Sequence, residues 1–199
     1  MRILEIFTSF QGEGPFIGTP ATFLRLSGCN LNCPWCDTDL TKPQEISLLE
    51  TKEILLKELK ENNVKTLIIT GGEPTLQIKD IKKLIKLLPS DLKIQMETNG
   101  FLFEHIDQIE YVISPKQEKE RVFNNYHQYD NCYFKFVITN QEDIDEVIML
   151  KDKFNYNKTI WLQPEFNNAI KITDLIVKNF KKLDNVKISA QTHKYLQQR

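Results

Sequence analysis

The feature that most constrains the fold is a regular alternation of short apolar runs with charged amphipathic segments. The apolar runs are rich in β-branched residues and are typical of strands. They cover residues 21–27, 64–70, 92–98, 111–114, 132–139, 159–163 and 186–190. Segments with helical character cover residues 47–62, 78–88, 141–154 and 173–183. Strand and helix alternating in this way predict an α/β fold whose sheet is mainly parallel and whose helices form the crossovers.

Composition excludes several classes of protein. The 199 residues suit one domain with a sizeable core, and the net charge of −1 does not favour binding to nucleic acid or to a membrane surface. No apolar run reaches the ~18 residues of a membrane span, and the first residues lack the apolar region of a signal peptide. We therefore expect a cytoplasmic protein whose thiols stay reduced.

The carboxyl ends of the predicted strands carry unusual residues. GGEP follows Thr70, while SPK and QPE stand at the ends of two later strands. Turns favour glycine, proline and polar residues in any case, so each of these segments alone means little. Ligands of parallel α/β proteins bind at this edge of the sheet, however, and the segments occur together with a cysteine cluster. The combination predicts a functional site at the carboxyl edge.

The cysteine cluster lies directly after the predicted strand at 21–27. Cys29, Cys33 and Cys36 form the pattern C-x3-C-x2-C, which suits a loop wrapped around a compact metal centre. A 4Fe–4S cluster usually has four cysteine ligands, so three leave one iron open to a substrate or cofactor. A zinc site completed by Cys132 or a histidine is the alternative. Cys132 alternates with apolar residues in its strand, which favours a place in the core.

Longer motifs carry a resemblance to a known family. The stretch EIFTSFQGEGPFIGTPATFLRLSGCNLNCPWCDT, followed in order by TGGEP, ETNG, SPK, LQP and QTHKYL, resembles the 7-carboxy-7-deazaguanine synthase family of the radical S-adenosylmethionine (SAM) superfamily. The resemblance implies one radical SAM domain over residues 1–199, with a substrate-binding QGEG turn and a cluster loop at residues 28–41. Because the chain is short for a closed eight-unit barrel, the implied fold is a partial, open βα barrel.

The resemblance also implies a reaction. The substrate would be 6-carboxy-5,6,7,8-tetrahydropterin, and ring contraction with loss of ammonia would give 7-carboxy-7-deazaguanine for queuosine and related 7-deazapurines. The implied cofactors are a 4Fe–4S cluster, SAM and Mg²⁺. The implied partners are a flavodoxin or ferredoxin as electron donor and a second copy of the chain in a homodimer.

Individual roles follow from the matching positions. Cys29, Cys33 and Cys36 would bind the catalytic cluster, since thiolates are soft ligands suited to iron. The residues expected to bind SAM are Gly72 with its neighbour Gly71, Ser114, Pro115, Lys116, Gln163, Pro164, Glu165 and Phe166. The residues expected to bind the pterin are Phe10, Gln11, Gly12, Arg25 and Thr70, with His193 and Lys194 either lining the pocket or packing against it. Thr38 matches the Mg²⁺ ligand, and Asp37 offers a competing oxygen at the same place.

Arg25 can also be interpreted from its surroundings alone. It interrupts the apolar run FLRL, and a charge in a buried strand needs a partner. The guanidinium fork fits a substrate carboxylate, which is the favoured interpretation, or else an internal ion pair with a structural acid.

Two other functions remain alternatives. A glycyl-radical activating enzyme also uses C-x3-C-x2-C with SAM, but it acts on a protein backbone and would need an exposed docking groove. A non-catalytic iron–sulfur or zinc module would leave the GGEP and SPK segments without a purpose. QGEG, Arg25 and Thr38 favour a small carboxylated substrate over both.

Overall fold

The computed structural model describes residues 1–36 and 38–198. In this part of the chain nine strands form one sheet, with helices between most of them. The strands are β1 (Arg2–Phe10), β2 (Pro20–Leu26), β3 (Gln44–Glu45), β4 (Thr66–Gly71), β5 (Lys93–Thr98), β6 (Ile109–Ile113), β7 (Cys132–Ile138), β8 (Ile160–Pro164) and β9 (Val186–Ile188). The helices are α1 (Leu48–Glu61), α2 (Ile78–Ile85), α3 (Lys119–Tyr126), α4 (Gln141–Lys153), α5 (Ala169–Lys178) and α6 (Thr192–Tyr195).

The sheet is mainly parallel and open. Its strand order is β3-β1-β2-β4-β5-β6-β7-β8-β9, so the two ends of the sheet do not meet in a closed barrel. Strand β1 pairs antiparallel with β2 and β3, whereas every pair from β2 to β9 is parallel. The predicted α/β fold with a partial, open barrel is thereby confirmed.

The two faces of the sheet differ in chemistry. Alternate strand residues, such as Leu24, Ile69 and Phe134, pack with apolar residues of α1 to α5 in one large core. The opposite face has a small apolar cluster at the β1–β2–β4 end, which includes Phe7 and Phe23. Elsewhere this second face carries mainly polar side chains, such as Gln95, Glu97 and Lys135, which alternate along the strands with residues of the large core. We call it the inner face.

Besides the short β3 and α6, which no pattern predicted, three longer elements differ from the sequence-based expectations. Strand β1 was not expected, since charged residues interrupt its apolar pattern, and the cysteine loop therefore follows the second strand rather than the first. Helix α3 was also not expected, because its segment is dominated by charge. Helix α5 begins and ends earlier than the predicted helix at residues 173–183. It ends earlier because Asn179 caps it, donating a side-chain hydrogen bond to the carbonyl of Leu175 (2.9 Å).

None of the helices in the described residues is both long and apolar enough to cross a lipid bilayer.

Candidate active site

A cleft of about 900 Å³ opens at the carboxyl edge of the parallel strands, on the inner face. This volume lies near the upper end of the range of ligand sites, so the cleft has room for more than one small molecule. All of the predicted site residues that the structure describes line it except Pro115 and Pro164, whose side chains are buried. Asp37, the competing Mg²⁺ ligand, lies outside the described residues.

The cysteine loop forms one wall of the cleft. Cys29 and Cys33 are half-buried and Cys36 is exposed, and all three face the cleft. The backbone N–H of Cys36 donates to the carbonyl of Cys33 (3.1 Å), and the N–H of Leu31 donates to the sulfur of Cys29 (3.4 Å). Burial, together with the neighbouring thiols, raises the pKa of Cys29 and of Cys33. The thiols of Cys29 and Cys33 are therefore protonated without metal, and metal binding must release their protons.

The donor set fits an iron–sulfur cluster. Three thiols within eight residues are soft ligands, and no carboxylate of the described residues joins them in a single-ion site. The cysteines of a cubane bind different irons, so their sulfurs need not converge on one point. Cys132 is 2% exposed and packs in the core on the opposite face of the sheet, which removes it as a fourth ligand.

Gly71 and Gly72 hold the cysteine loop close to the end of β4. A Cβ on Gly72 would lie 2.0 Å from the carbonyl oxygen of Gly28, and one on Gly71 would lie 2.0 Å from that of Leu26. The N–H of Gly72 donates to Leu26 (2.9 Å), and the N–H of Glu73 donates to Gly28 (2.8 Å). The chain itself therefore requires glycine here, whether or not a ligand also approaches this backbone.

Glu73 ties two strand ends together. Its buried carboxylate accepts hydrogen bonds from the N–H and hydroxyl of Thr75 (3.0 and 2.6 Å), the hydroxyl of Thr98 (2.6 Å) and the N–H of Asn99 (2.7 Å). The amide of Asn99 then donates to the side chain of Asn30 in the cysteine loop (2.9 Å). Because these four donors satisfy the carboxylate, Glu73 orders the ends of β4 and β5 and, through Asn99, the loop.

Arg25 faces the cleft and has a partner on the neighbouring strand. Its Nε lies 2.8 Å from Oε1 of Glu5, which stands directly opposite in the β1–β2 pair, and the guanidinium lies over the ring of Phe7. The Arg25 and Glu5 side chains are 25% and 34% exposed, so solvent and ligands reach both. The structure thus contains the internal ion pair that was the less favoured interpretation, and it also leaves Arg25 on the cleft wall.

Glu13, Lys135 and Glu97 form a charged group at the bottom of the cleft with side chains 17%, 6% and 18% exposed, which we call the acidic floor. Nζ of Lys135 contacts Oε2 of Glu13 and lies 3.0 Å from Oε2 of Glu97. Burial would raise the pKa of Glu13, but the Lys135 ammonium outweighs burial and lowers it to about 2. Burial also raises the pKa of Glu97, against the opposing effect of Lys135. One cation between two carboxylates leaves a net negative charge on the floor when both are ionised.

Lys116 lies near the acidic floor at the end of β6. Its Nζ donates to the hydroxyl of Ser114 (2.6 Å), and burial lowers its pKa to about 8. Lys116 is therefore a desolvated cation on the cleft wall, and not the solvated loop charge that its charged neighbours in the sequence suggest.

The C-terminal segment covers the QGEG turn. The N–H and the hydroxyl of Thr192 both donate to the carbonyl of Gly12 (3.0 Å each), and Gln191 donates to Oε1 of Glu13 (2.8 Å). A Cβ on Gly12 would lie 2.2 Å from Nδ1 of His193, so this contact also requires glycine. His193 and Lys194 line the cleft and at the same time pack against it.

Sequence reasoning missed Glu13, Lys135 and Glu97 as site residues. The signal for Lys135 was nonetheless present, because it interrupts the apolar run CYFKFVIT in the same way that Arg25 interrupts FLRL. Glu97 was visible as the charged residue of the ETNG motif, next to last in a strand at the carboxyl edge. Glu13 lies within the QGEG turn that the resemblance marks as substrate-binding, but only Gln11 and Gly12 of that turn were named as site residues.

Comparisons with known proteins agree with this geometry. Residues 24–114 match the radical SAM superfamily. The 7-carboxy-7-deazaguanine synthase of Hyperthermus butylicus is 37% identical over 162 residues, which cover 74% of this chain and 69% of that protein. The synthase of Clostridium acetobutylicum is 30% identical and covers 98% of this chain and 95% of its own. The crystal structure of QueE from Escherichia coli is similar with a TM-score of 0.71 and 25% identity, over 95% of this chain and 92% of that one.

We predict that Cys29→Ala, Cys33→Ala and Cys36→Ala each abolish the brown iron–sulfur chromophore or the cleavage of SAM after anaerobic reconstitution. Each variant removes one of the three thiols that face the cleft. Iron content, visible absorbance and SAM cleavage are the measurements.

Cys132→Ala is the matched control. It should keep the iron and the absorbance, with a loss of unfolding free energy of ~1 kcal/mol from the core. Loss of the chromophore in this variant would contradict the three-thiol site.

Proposed function

The chain belongs to the 7-carboxy-7-deazaguanine synthase family, and from that premise we propose that it converts 6-carboxy-5,6,7,8-tetrahydropterin into 7-carboxy-7-deazaguanine with loss of ammonia. The observation that carries the proposal is one cleft in which a loop of three thiols, an arginine and a buried pair of carboxylates face the same space. A small substrate with a carboxylate at one end and ring N–H groups at the other matches these groups.

Cys29, Cys33 and Cys36 would hold a 4Fe–4S cluster, with SAM beside it. When bound, these two cofactors supply the radical chemistry that starts the ring contraction. Glu73, Gly71 and the Asn30–Asn99 hydrogen bond hold the loop against the ends of β4 and β5. The SAM-facing residues would be Gly72, Ser114, Lys116, Gln163, Glu165 and Phe166, all of which line the cleft. For Pro115 and Pro164, a role in shaping the backbone of these turns is the proposal that fits their burial.

The pterin would be bound at both of its ends. Arg25 would receive the carboxylate, because a guanidinium holds a carboxylate through two parallel hydrogen bonds. Glu97 and Glu13 would accept hydrogen bonds from the N–H groups of the pyrimidine ring. Phe10, Gln11, Gly12 and Thr70 line the cleft around this space, and Gln11 also donates to Glu97 (3.1 Å).

Thr38 would contribute an oxygen ligand for Mg²⁺. It is half-buried and lines the cleft near the cysteine loop. A neutral hydroxyl binds Mg²⁺ weakly by itself, so substrate oxygens and water would complete the coordination.

The wider setting is part of the same proposal. Residues 1–199 act as one radical SAM domain in the cytoplasm, where the thiols stay reduced. A flavodoxin or ferredoxin supplies the electron, and the chain forms a homodimer. The glycyl-radical activase and the non-catalytic metal module are not favoured, because the named relatives match this chain as synthases over most of its length.

The proposed function predicts turnover. The reconstituted protein, incubated anaerobically with SAM, Mg²⁺, a reductant and 6-carboxy-5,6,7,8-tetrahydropterin, should form 7-carboxy-7-deazaguanine and ammonia, which mass spectrometry and an ammonia assay detect. SAM cleavage without product from this pterin would contradict the substrate assignment and favour another radical SAM reaction.

Arg25→Ala tests the carboxylate site. Losing one partner of a buried charge pair typically costs ~2–5 kcal/mol, or roughly 30- to several thousand-fold in affinity or turnover. Pterin turnover should therefore fall by that factor while SAM affinity is kept. Arg25→Lys should restore little, since a point charge cannot replace the fork.

Glu5→Gln is the control for Arg25→Ala, because it breaks the same ion pair and leaves the guanidinium in place. It should reduce turnover far less. Equal losses in Arg25→Ala and Glu5→Gln would mean that the ion pair, and not a substrate contact, explains Arg25.

Thr38→Ala tests the Mg²⁺ site. Turnover should become slower and less dependent on Mg²⁺, with an unchanged iron content, because only a hard oxygen ligand is lost. The measurement is the initial rate against Mg²⁺ concentration. An unaltered Mg²⁺ dependence would place the metal elsewhere and make Asp37 the next residue to test.

A further inference from the structure

The Lys135 side chain lines the cleft, yet it is only 6% exposed. It rises from the middle of β7 on the inner face, between two residues, Phe134 and Phe136, that pack in the core on the other face. A lone ammonium in such a place would be costly, and a lysine there needs anionic partners. Its partners come from separate parts of the chain: Glu13 from the loop after β1, and Glu97 from β5.

Further donors fix both carboxylates in place. Oε1 of Glu97 accepts from Gln95 (2.6 Å) and Gln11 (3.1 Å), while Oε2 faces Lys135 (3.0 Å). Oε1 of Glu13 accepts from Gln191 of the C-terminal segment (2.8 Å). Every one of these contacts uses a carboxylate oxygen as acceptor, which is the pattern expected of ionised carboxylates. Lys135 is the cation that joins them.

The other charged groups near the floor do not replace Lys135. Lys116 acts on Lys135 and on both carboxylates only through space, with its Nζ engaged by Ser114. His193 acts on Glu13 in the same way, from the C-terminal segment. Without Lys135, two desolvated carboxylates would face each other, and their pKa values would rise because like charges in a buried site disfavour ionisation.

We propose that Lys135 is a positioning residue that holds Glu13 and Glu97 together as a paired, singly negative floor for the N–H edge of the substrate ring. The inference rests on the proposed function for the identity of the substrate and adds the residue that sets the charge of its site. Lys135 acts through the two carboxylates. Its side chain is long enough to contact both at once, and its single positive charge leaves one net negative charge on the floor. Any ligand of this floor must present hydrogen-bond donors, because the facing atoms are carboxylate oxygens.

The test uses the reconstituted protein and 6-carboxypterin, the oxidised and unreactive form of the proposed substrate, with affinity measured by fluorescence titration at pH 7. Lys135→Met should weaken binding by at least ~30-fold, the lower end of the range for leaving a buried charge unpaired. Lys135→Met/Glu13→Gln, which restores the single negative charge, should recover roughly tenfold or more of this loss. An affinity of Lys135→Met equal to that of the parent, or a double variant no better than the single one, would overturn the proposal.

A second readout needs no pterin. In the parent, the lowered pKa of Glu13, about 2 against 4.5, gives stability that is fully present above pH 4.5 and is lost as the pH falls towards 2. Burial already raises the pKa of Glu97 in the parent, so Glu97 removes stability as the pH rises above 4.5 in parent and variant alike. In Lys135→Met the pKa of Glu13 should rise as well, and stability then falls further over the same pH range. The difference in Tm between parent and variant should widen from pH 5 to pH 8, and less so with Glu13→Gln added. A difference that does not change with pH would overturn the proposal.

Lys119→Met is the matched control, because Lys119 also bridges two carboxylates, Asp143 (3.0 Å) and Glu146 (2.7 Å), but away from the cleft. It should lower Tm and leave the affinity for 6-carboxypterin unchanged. If Lys135→Met alone does not fold, Glu13→Gln is compared with Lys135→Met/Glu13→Gln. The double variant should bind 6-carboxypterin more weakly than Glu13→Gln, because Glu97 has lost its contact with the ammonium, and equal affinities would overturn the role of Lys135. A parent protein that does not bind the pterin overturns the proposed function, whereas a parent and a Lys135→Met variant that bind equally well overturn only the role of Lys135.

Discussion

The structure depends on a parallel sheet that is covered by helices on one face only. Parallel sheets are normally buried on both faces, because their crossover helices cover both. Here the buried apolar residues of α1 to α5 join the core on one side, which leaves the inner face to the side chains of the strands and to two short segments of the chain. The loop after β1 and the segment around α6 lie over this face and are hydrogen-bonded to each other through Thr192 and Gly12. The cleft is the space that these segments do not fill, which is why it lies at the carboxyl edge and is lined by polar groups.

The carboxyl edge is held together mainly by backbone and by one carboxylate. Gly71 and Gly72 bring the cysteine loop to van der Waals distance of β4, and Glu73 joins β4 to the end of β5 through two hydrogen bonds, from Thr98 and Asn99. The contacts of Gly71, Gly72 and Glu73 therefore explain the sequence GGEP by the needs of the fold alone, without a ligand. A loop that carries three thiols gains a fixed position from these contacts, and the sulfurs themselves are left to face the cleft.

Much of the fold could be predicted from the sequence, because long parallel strands have a clear pattern of β-branched residues and their helices a clear amphipathic one. Strand β1 could not, since its alternation is broken where Glu5 faces the cleft, and α3 could not, because its charged surface hides the few residues it buries. For the candidate site, motifs located the wall residues, from the cysteines to Ser114. The acidic floor was missed because its three members are far apart in the chain, and only the register of β5 and β7 and the path of the first loop bring them together.

Arg25 and Lys135 have the same signature in the sequence, a single cation in an apolar strand, and the structure separates them by burial. The Arg25 and Glu5 side chains are 25% and 34% exposed, and an ion pair so open to solvent contributes little, with a typical value of ~0–1 kcal/mol. A substrate carboxylate can therefore compete for the guanidinium at small cost. The Lys135 side chain is 6% exposed and its partners are 17% and 18% exposed, so separating these charges would leave a desolvated ion without a partner. The first cation is thus suited to exchange partners with a ligand, and the second to hold its partners in place while the ligand binds.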